Sequence, residues 1–401
     1  MKSYKIAIIG GGPAGLSLAC LLGKQHTITI FERERNPLPV GAGIMLQPTG
    51  AHVLNEIGIG EAILSLGKKI KRFYSENHEG KIIFDLDFSY DGLYGTGIDR
   101  SSLFYSLFNE VHKRGVEVIV DSEINEINEK DSTIKDQHGN QFGKFDLIVV
   151  ADGRGSLVRS QFSNLIKVSK KQRYAALWTK LPLADKSLNQ GINHVYYKTE
   201  LMLGLMPIGY SHKGSDEELI NFFCGVNDEF LEKWSPAYFK PWKERLKKIA
   251  PKYEPFLDQI VDFDQLIVAN YYNVLLKKPY HKNIVFIGDA AHSLSPHLSS
   301  GTNLALLDAH SLARRVNEKA TIQDAFKRFQ KDRDAQISYY HSISRLITPL
   351  FQSHTDLSFI RDHILSRLIK IPYFRNEILQ TILGMKKNLF SNLPEKLYKD
   401  V

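Results

Sequence analysis

Cysteine is nearly missing. Cys20 and Cys224 are the only two in 401 residues, too few for a disulfide framework or a zinc site of their own. Both are expected as reduced core thiols of a cytoplasmic protein. Long apolar runs are missing too, and no stretch nears the roughly 18 uncharged residues of a membrane span. The opening MKSYKIAIIGGGPAG lacks the features of a signal peptide, because glycines break its apolar run after five residues. A strong excess of one charge is also absent. Lys and Arg number 52 against 44 Asp and Glu, a formal net charge of +8, so composition implies no nucleic-acid partner. Repeats, low-complexity stretches and long linkers are not seen. What remains is the composition of an ordinary globular protein, 43% hydrophobic and 24% charged, long enough for two or three domains.

The first informative segment is N-terminal. Lys5 to Ile9 reads as a buried strand, Gly10-Gly11-Gly12-Pro13-Ala14-Gly15 as a turn, Leu16 to Leu22 as a helix, and Thr27 to Phe31 as a second strand. Glu32 closes that strand, twenty positions after Gly12. In such a unit Gly10 permits the tight turn, Gly12 lets backbone approach a pyrophosphate, and Gly15 lets helix and strand close up. Free amides at the helix start stabilise phosphate charge, and Glu32 is placed to accept hydrogen bonds from a ribose diol. An acid there disfavours a 2′-phosphate, so this turn reads as an FAD or NAD site rather than an NADP site.

Three further motifs follow. Gly97-Ile98-Asp99-Arg100 opens an amphipathic helix ending near Gly115, with Arg100 at a helix start that the dipole disfavours for a cation. Phe145 to Val150 reads as a strand leading to Asp152-Gly153 and Arg159. Asn283 to Ile287 reads as another, followed by Gly288-Asp289-Ala290-Ala291-His292, then Pro296, then a helix beginning Gly301-Thr302-Asn303. Taken together, in this order, the four motifs resemble the FAD-dependent aromatic monooxygenases of the para-hydroxybenzoate hydroxylase type, the group A flavin hydroxylases. The resemblance spans about residues 4 to 345.

That resemblance implies an α/β fold: a Rossmann-like FAD-binding domain of GR2 type, interleaved with a mostly antiparallel-sheet substrate domain and followed by C-terminal helices. It assigns Gly10, Gly12, Pro13, Ala14, Gly15 and Glu32 to the ADP half of FAD, and Arg33 to the neighbourhood of the adenosine. Arg100 meets the ribityl–phosphate region. Asp152 and Gly153 serve FAD and the NAD(P)H pyrophosphate, and Asp289 binds a ribityl hydroxyl. Pro296 lies beside the flavin ring, and Gly41-Ala42-Gly43-Ile44 matches the loop that passes it. Gly301, Thr302 and Asn303 belong to the segment whose amides face the flavin N1–O2 edge. Members commonly carry Gly-Gln-Gly after the proline, whereas Ser299, Ser300 and Gly301 stand here. A helix N-terminus stabilises negative charge whatever its side chains, so flavin binding is expected to survive that departure.

The expected division is 1–69, 97–173 and 270–345 for the FAD domain, 70–96 and 174–269 for the substrate domain, and 346–401 for a C-terminal helical region. In the substrate domain, strands are expected at Tyr174 to Leu181, His194 to Tyr197, Met202 to Met206 and Leu219 to Val226. Helices are expected from Pro236 to about Ile249 and from Glu254 to about Val261. Ile70 to Phe88 should join the same sheet. The tail from Arg361 holds eight Lys or Arg against four Asp or Glu. It reads as a helical cap, or as basic helices that touch a membrane surface peripherally.

By the same resemblance, NADPH or NADH reduces FAD, and a C4a-hydroperoxide formed with O2 hydroxylates an aromatic, polycyclic or otherwise lipophilic small molecule. The protein must hold the flavin, exclude water and place the ring. No metal is needed. A base would assist a phenol, and His297 and Tyr197 are the candidates. His292 is expected to pack rather than react. Met202, Leu203, Phe222 and Phe223 are candidate pocket walls, with alternation unable to say which face inward. Two other readings stay open. A flavin-dependent reductase of a prenyl or lipophilic substrate would consume no oxygen. A non-catalytic binding protein would have no use for Glu32, Arg100, Asp152 and Asp289 together.

Overall fold

Two strands and a helix form as the apolar pattern predicts: β1 (Lys5–Ile9), α1 (Pro13–Leu22) and β2 (Thr27–Phe31). The structure is a computed structural model, and it describes residues 3–37, 43–212, 214, 216–318 and 321–399. β1 pairs in parallel with β2, Ile8 opposite Ile30, and on its other edge with Leu147–Val150, Ile8 opposite Val149. The six-stranded sheet runs Tyr280–His281, Ile284–Phe286, Leu147–Val150, β1, β2, Glu117–Ile119. Its strands are almost continuously apolar because both faces are covered. One face meets α1 and the helix Gly301–Asn317 through Leu16, Ala19, Leu306 and Ala309. The other meets Phe145, Val158 and Phe162.

The second sheet has seven strands: Ile267–Leu276, Ile166–Pro182, Leu219–Asn227, Leu201–Gly209, Gly191–Tyr197, Arg72–Asn77 and Ile82–Asp87, in that order. Neighbours are antiparallel, except that Gly191–Tyr197 and Arg72–Asn77 run parallel. Side chains alternate cleanly. Val195, Leu203, Leu205, Phe222 and Cys224 face the helix Pro236–Ile249, where Trp242 and Leu246 are buried. His194, Tyr196, Met202 and Phe223 lie on the opposite face.

Between the sheets, β3 (Gly43–Leu46) pairs with Leu93–Asp99. The Gly43 N–H donates to Asn221 Oδ1 at 3.0 Å, tying the start of β3 to the seven-stranded sheet. Gly41 and Ala42, half of the expected flavin loop, lie outside the described residues.

Three expectations are corrected. The strand expected at Tyr174–Leu181 begins eight residues earlier, within the stretch assigned to the FAD domain, and runs Ile166–Pro182. The helix expected from Glu254 to Val261 is a single turn, Glu254–Leu257. The tail is helical only in part. After a π-helical turn at Ile360–Leu365 and a helix at Pro372–Ile382, Lys386–Asn388 pairs with Ser391–Asn392. There the Asn388 side chain accepts the Phe390 N–H at 2.9 Å and reverses the chain, a local bond that competes with helix. Among the described residues no helix is long and apolar enough to cross a membrane.

Candidate flavin and substrate site

At the end of β1 the chain turns through three glycines for different reasons. Gly10 has φ +107, and a Cβ on it would sit 2.4 Å from the Ala151 carbonyl oxygen. A Cβ on Gly15 would lie 2.1 Å from the Gly10 oxygen. Both are glycine because the protein itself fills the space. Gly12 is not: nothing lies within 4 Å of its Cβ position. The open space there, ahead of α1, suits an approaching phosphate. Pro13 takes the first position of α1, and Ala14 is buried beneath it. Glu32 is held by the Gly11 N–H at 2.7 Å and the Glu34 N–H at 3.0 Å. Arg33 projects outward and pairs with Glu34 at 3.2 Å.

The other three motifs converge on this turn. A Cβ on Gly288, at φ +59, would lie 3.2 Å from the Ala14 Cβ, so the Gly-Asp motif abuts the start of α1. Asp289 opens a four-residue helix after it. Arg100 begins the helix Arg100–Lys113. Burial lowers its pKa, Asp289 favours its charge, and Arg154 opposes it. Asp152 follows its strand, and its Oδ1 is buried with no hydrogen-bond partner among the described residues. Burial pushes its carboxyl up to about 6, against the pull of Ser156 and Arg159. Gly153, at φ +83, gives that loop its turn. Arg159, 5% exposed, donates to the carbonyls of Ala290 at 3.0 Å and Arg154 at 2.7 Å, bracing the two loops.

One carboxylate in this assembly has no motif to announce it. Asp308, inside the helix Gly301–Asn317, accepts the Gly288 N–H at 2.8 Å and Arg333 Nε at 2.8 Å, and meets His292 Nε2. Burial pushes its carboxyl up, but His292 and Arg333 outweigh that and hold it at about 2. His292 therefore packs, as expected, and Asp308 anchors the Gly-Asp turn. Only a lone Asp amid an apolar helical stretch hinted at this.

The loop with the unusual serines is also built into the protein. Pro296 starts a short turn, and Ser299 adopts φ +49, a left-handed conformation that favours glycine. Ser300 is fully buried, with its hydroxyl unpartnered among the described residues. Gly301 opens onto Asp289, whose Oδ1 would lie 3.9 Å from a Cβ there, and Thr302 follows on the first helical turn. The Asn303 side chain is engaged within the protein, which leaves its main-chain amide as the group expected to face the cofactor. The side chain accepts the Gln47 N–H at 2.9 Å and donates to the Met45 and Ser299 carbonyls at 3.0 and 3.1 Å. It is spent on clamping β3 to the loop, and Ile44 sits on that clamped strand. The open side of Gly12, the unpartnered Asp152 Oδ1 and Ser300 Oγ, and the Arg100–Asp289 pair fit FAD, whose phosphates and hydroxyls supply complementary groups.

The two catalytic candidates separate. His297 Nδ1 bonds Ser295 Oγ at 3.1 Å, and its ring stacks on Phe351. Burial lowers its pKa to about 4, with Gln352 drawing it back. It is therefore neutral at pH 7 and a weak base, able to accept a hydrogen bond. Tyr197 is corrected: it lies on the helix-facing side of its strand, beneath Arg245 and against His78, because strand alternation turns it away from Tyr196. The same alternation puts Met202 and Phe223 on the His297 side and turns Leu203 and Phe222 away. His194 and Gln352, not anticipated, join His297 on that side. Away from these motifs, His52 and His310 each meet one Glu56 oxygen, at 3.3 and 3.1 Å. Cys20 and Cys224 are free and buried, and burial pushes both thiols up to about 12.

The four motifs thus meet around the start of α1. The profile of the FAD binding domain family matches residues 3–327, and the chain belongs to that family, among the FAD-dependent aromatic monooxygenases. It is similar to the FAD-dependent monooxygenase ntnA of Nectria sp, 25% identical over 374 residues that cover 82% of this chain and 48% of that protein. The chain thus spans about half the length of that relative. It is 22% identical to the 6-hydroxynicotinate 3-monooxygenase of Pseudomonas fluorescens over 374 residues, covering 86% and 91% of the two chains. In fold it matches the tetrameric form of 2-methyl-3-hydroxypyridine-5-carboxylic acid oxygenase, with TM-score 0.79, 20% identity, and 97% and 100% of the two chains covered.

Proposed function

We propose that this chain hydroxylates a small aromatic molecule, with FAD held by the four motifs, NADPH or NADH as reductant and O2 as the oxygen source. The observation that carries this reading is the meeting of open Gly12, Arg100, Asp152 and Asp289 at one place. When bound, FAD supplies the redox chemistry that neither protein nor substrate has. The chain's own tasks are distinct. Glu32 accepts from the ribose, Gly12 and the α1 amides take the pyrophosphate, and Asp289 accepts from a ribityl hydroxyl. The rings of Tyr196, Phe223 and Phe351 exclude water. Neutral His297, a weak base, offers a ring nitrogen that accepts a hydrogen bond from a phenolic substrate. The two sheets support a division into FAD and substrate domains, with residues 166–173 and 270–276 on the substrate side rather than the expected FAD side.

The test starts with the absorbance spectrum of the purified protein, then follows oxygen uptake and NAD(P)H oxidation over a panel of aromatic compounds. Yellow protein with ring-stimulated oxygen uptake is expected. NAD(P)H oxidation without oxygen uptake would favour the reductase reading, and a colourless protein that cannot be reconstituted would favour a binding protein. Within the same reading, a cytoplasmic enzyme touches anionic membrane peripherally. Phe359, Tyr373 and Phe390 are 66%, 66% and 93% exposed in the tail that also holds Arg367, Lys370 and Lys387. Failure to co-sediment with anionic vesicles at low salt would remove that part.

A further inference from the structure

Outside the flavin motifs, a cluster of ligand-type side chains joins two helices. His52 and Glu56 stand four residues apart in the helix Pro48–Ile57, so they share one face, a turn apart. His310 meets them from the helix Gly301–Asn317. His52 Nε2 lies 3.3 Å from Glu56 Oε1, and His310 Nε2 lies 3.1 Å from Glu56 Oε2. Both are ion-pair approaches, without the aligned hydrogen bond that joins His292 to Asp308. The two imidazoles meet edge to face, with centroids 6.0 Å apart. One ligand atom from each of the three residues falls within 4.8 Å of the other two.

A tetrahedral zinc ion holds nitrogen and oxygen at about 2.0–2.2 Å, which sets neighbouring donors about 3.4 Å apart. The two nitrogen–oxygen distances lie close to that edge. Two imidazoles and a carboxylate suit Zn2+, whereas Mg2+ and Ca2+ take oxygen ligands. The His52 and His310 side chains are 17% and 15% exposed, and Glu56 is 42% exposed. The cluster therefore has an open side, through which an ion enters and a water completes its shell. The backbone beneath is fixed. A Cβ on Gly50 would collide with Asn303 Oδ1, so the two helices close on each other where Asn303 clamps β3. Val53, Leu54, Leu306 and Ala313 are buried in one shared cluster. Ligands on packed helices hold their places better than ligands on loops. Burial lowers the His310 pKa, Glu56 opposes that, and His52, Arg314 and Arg333 add to it. Both guanidinium groups are already matched, Arg314 by Asp332 at 3.0 Å and Arg333 by Asp308 at 2.8 Å.

We propose that His52, Glu56 and His310 form a zinc site that staples the helix Pro48–Ile57 to the helix Gly301–Asn317. The ion takes the two Nε2 atoms and the Glu56 carboxylate, with water in the remaining position. Its part is structural. One helix follows β3 and the other follows the Ser299–Ser300 loop, so the ion ties together two segments that border the flavin motifs. The proposal stands whether or not the chain is a monooxygenase.

Holoenzyme freed of metal with EDTA and desalted is titrated with ZnCl2 by calorimetry, with CoCl2 as a spectroscopic probe and MgCl2 as the control. One equivalent of Zn2+ is expected to bind, with a Kd of about 10 μM or tighter. Co2+ should give the intense visible bands of a four-coordinate ion, and Mg2+ should give no heat. Saturating Zn2+ should raise the melting temperature by about 2–4 °C. His310→Ala and Glu56→Gln should each weaken Zn2+ by about tenfold or more and abolish that rise. FAD content reports folding of the variants. Should His310→Ala misfold, Glu56→Gln carries the test, because it keeps the side chain's shape at a half-exposed position. No binding of Zn2+, binding of Mg2+ as tight as that of Zn2+, or Zn2+ affinity within twofold of wild type in the variants would overturn the proposal. The last result would place the ion on other histidines.

Discussion

Replacing Asp308 with asparagine preserves shape and removes one charge. The carboxylate accepts from Arg333 Nε and the Gly288 N–H, both at 2.8 Å, and meets His292. It is fully buried, and Arg333 is 4% exposed. Its carboxyl is held at about 2, against an ordinary 3.8. A carboxylate depressed by folding stabilises the native state above its unfolded value and loses that contribution as pH falls through the folded one. The window is therefore pH 3.8 down to 2, and the size is about 2 kcal/mol. The substitution costs more, because Arg333 keeps its charge with no counter-ion. One-sided loss of a buried pair costs about 3–5 kcal/mol. Urea unfolding of the variant should show that loss, with FAD released at lower denaturant than in wild type as the Gly288 turn loosens. A cost below 1 kcal/mol with normal FAD retention would refute the anchoring argument.

Other substitutions separate binding from folding. Asp289→Ala should weaken FAD binding by about 1.5–3 kcal/mol, the value of a charged hydrogen bond, read as released FAD fluorescence; full occupancy would end its assignment. Gly15→Ala forces a Cβ to 2.1 Å from the Gly10 oxygen, so its unfolding midpoint should drop. Gly12→Ala meets no protein atom, so it should fold normally and bind FAD less well; equal loss of stability in both would contradict that contrast. His194 and His297 have folded values near 3 and 4, below the unfolded 6.5. Their neutral burial is harmless above pH 6.5, and stability falls as pH drops from there toward those values, by about 1.4 kcal/mol per pH unit for each ring. Melting of the apoprotein against pH checks this, and a flat profile from 6.5 to 5 would refute it. Tyr197→Phe should leave the hydroxylation rate unchanged, because the ring lies on the far side of its strand; a slower product yield would reopen its candidacy.

What could be read from the chain was local. β1 and β2 were legible to the residue because short runs rich in β-branched residues end at a glycine turn or a carboxylate. Pro236–Ile249 was legible because proline and serine mark its start. The pocket was not. Alternation says that Tyr196 and Tyr197 face apart, yet only the packing of Pro236–Ile249 decides which side is covered. Asp308 gains its role from Gly288 and Arg333, 20 and 25 positions away. The tail hairpin turns on one side-chain bond at Asn388, weaker than the helical composition around it.

The strand order of the six-stranded sheet sets a timetable. β1 sits between β2 and Leu147–Val150, whose other edge waits for Ile284–Phe286, and Asp308 then waits for Arg333. A chain emerging from the ribosome N-terminus first must shelter the open apolar edge of β1 for more than a hundred residues. Pairings so remote in sequence form slowly, and exposed strand edges invite aggregation meanwhile. Nascent chains released before Arg333 would carry the complete glycine turn without the Asp308–Arg333 pair behind the Gly288 turn.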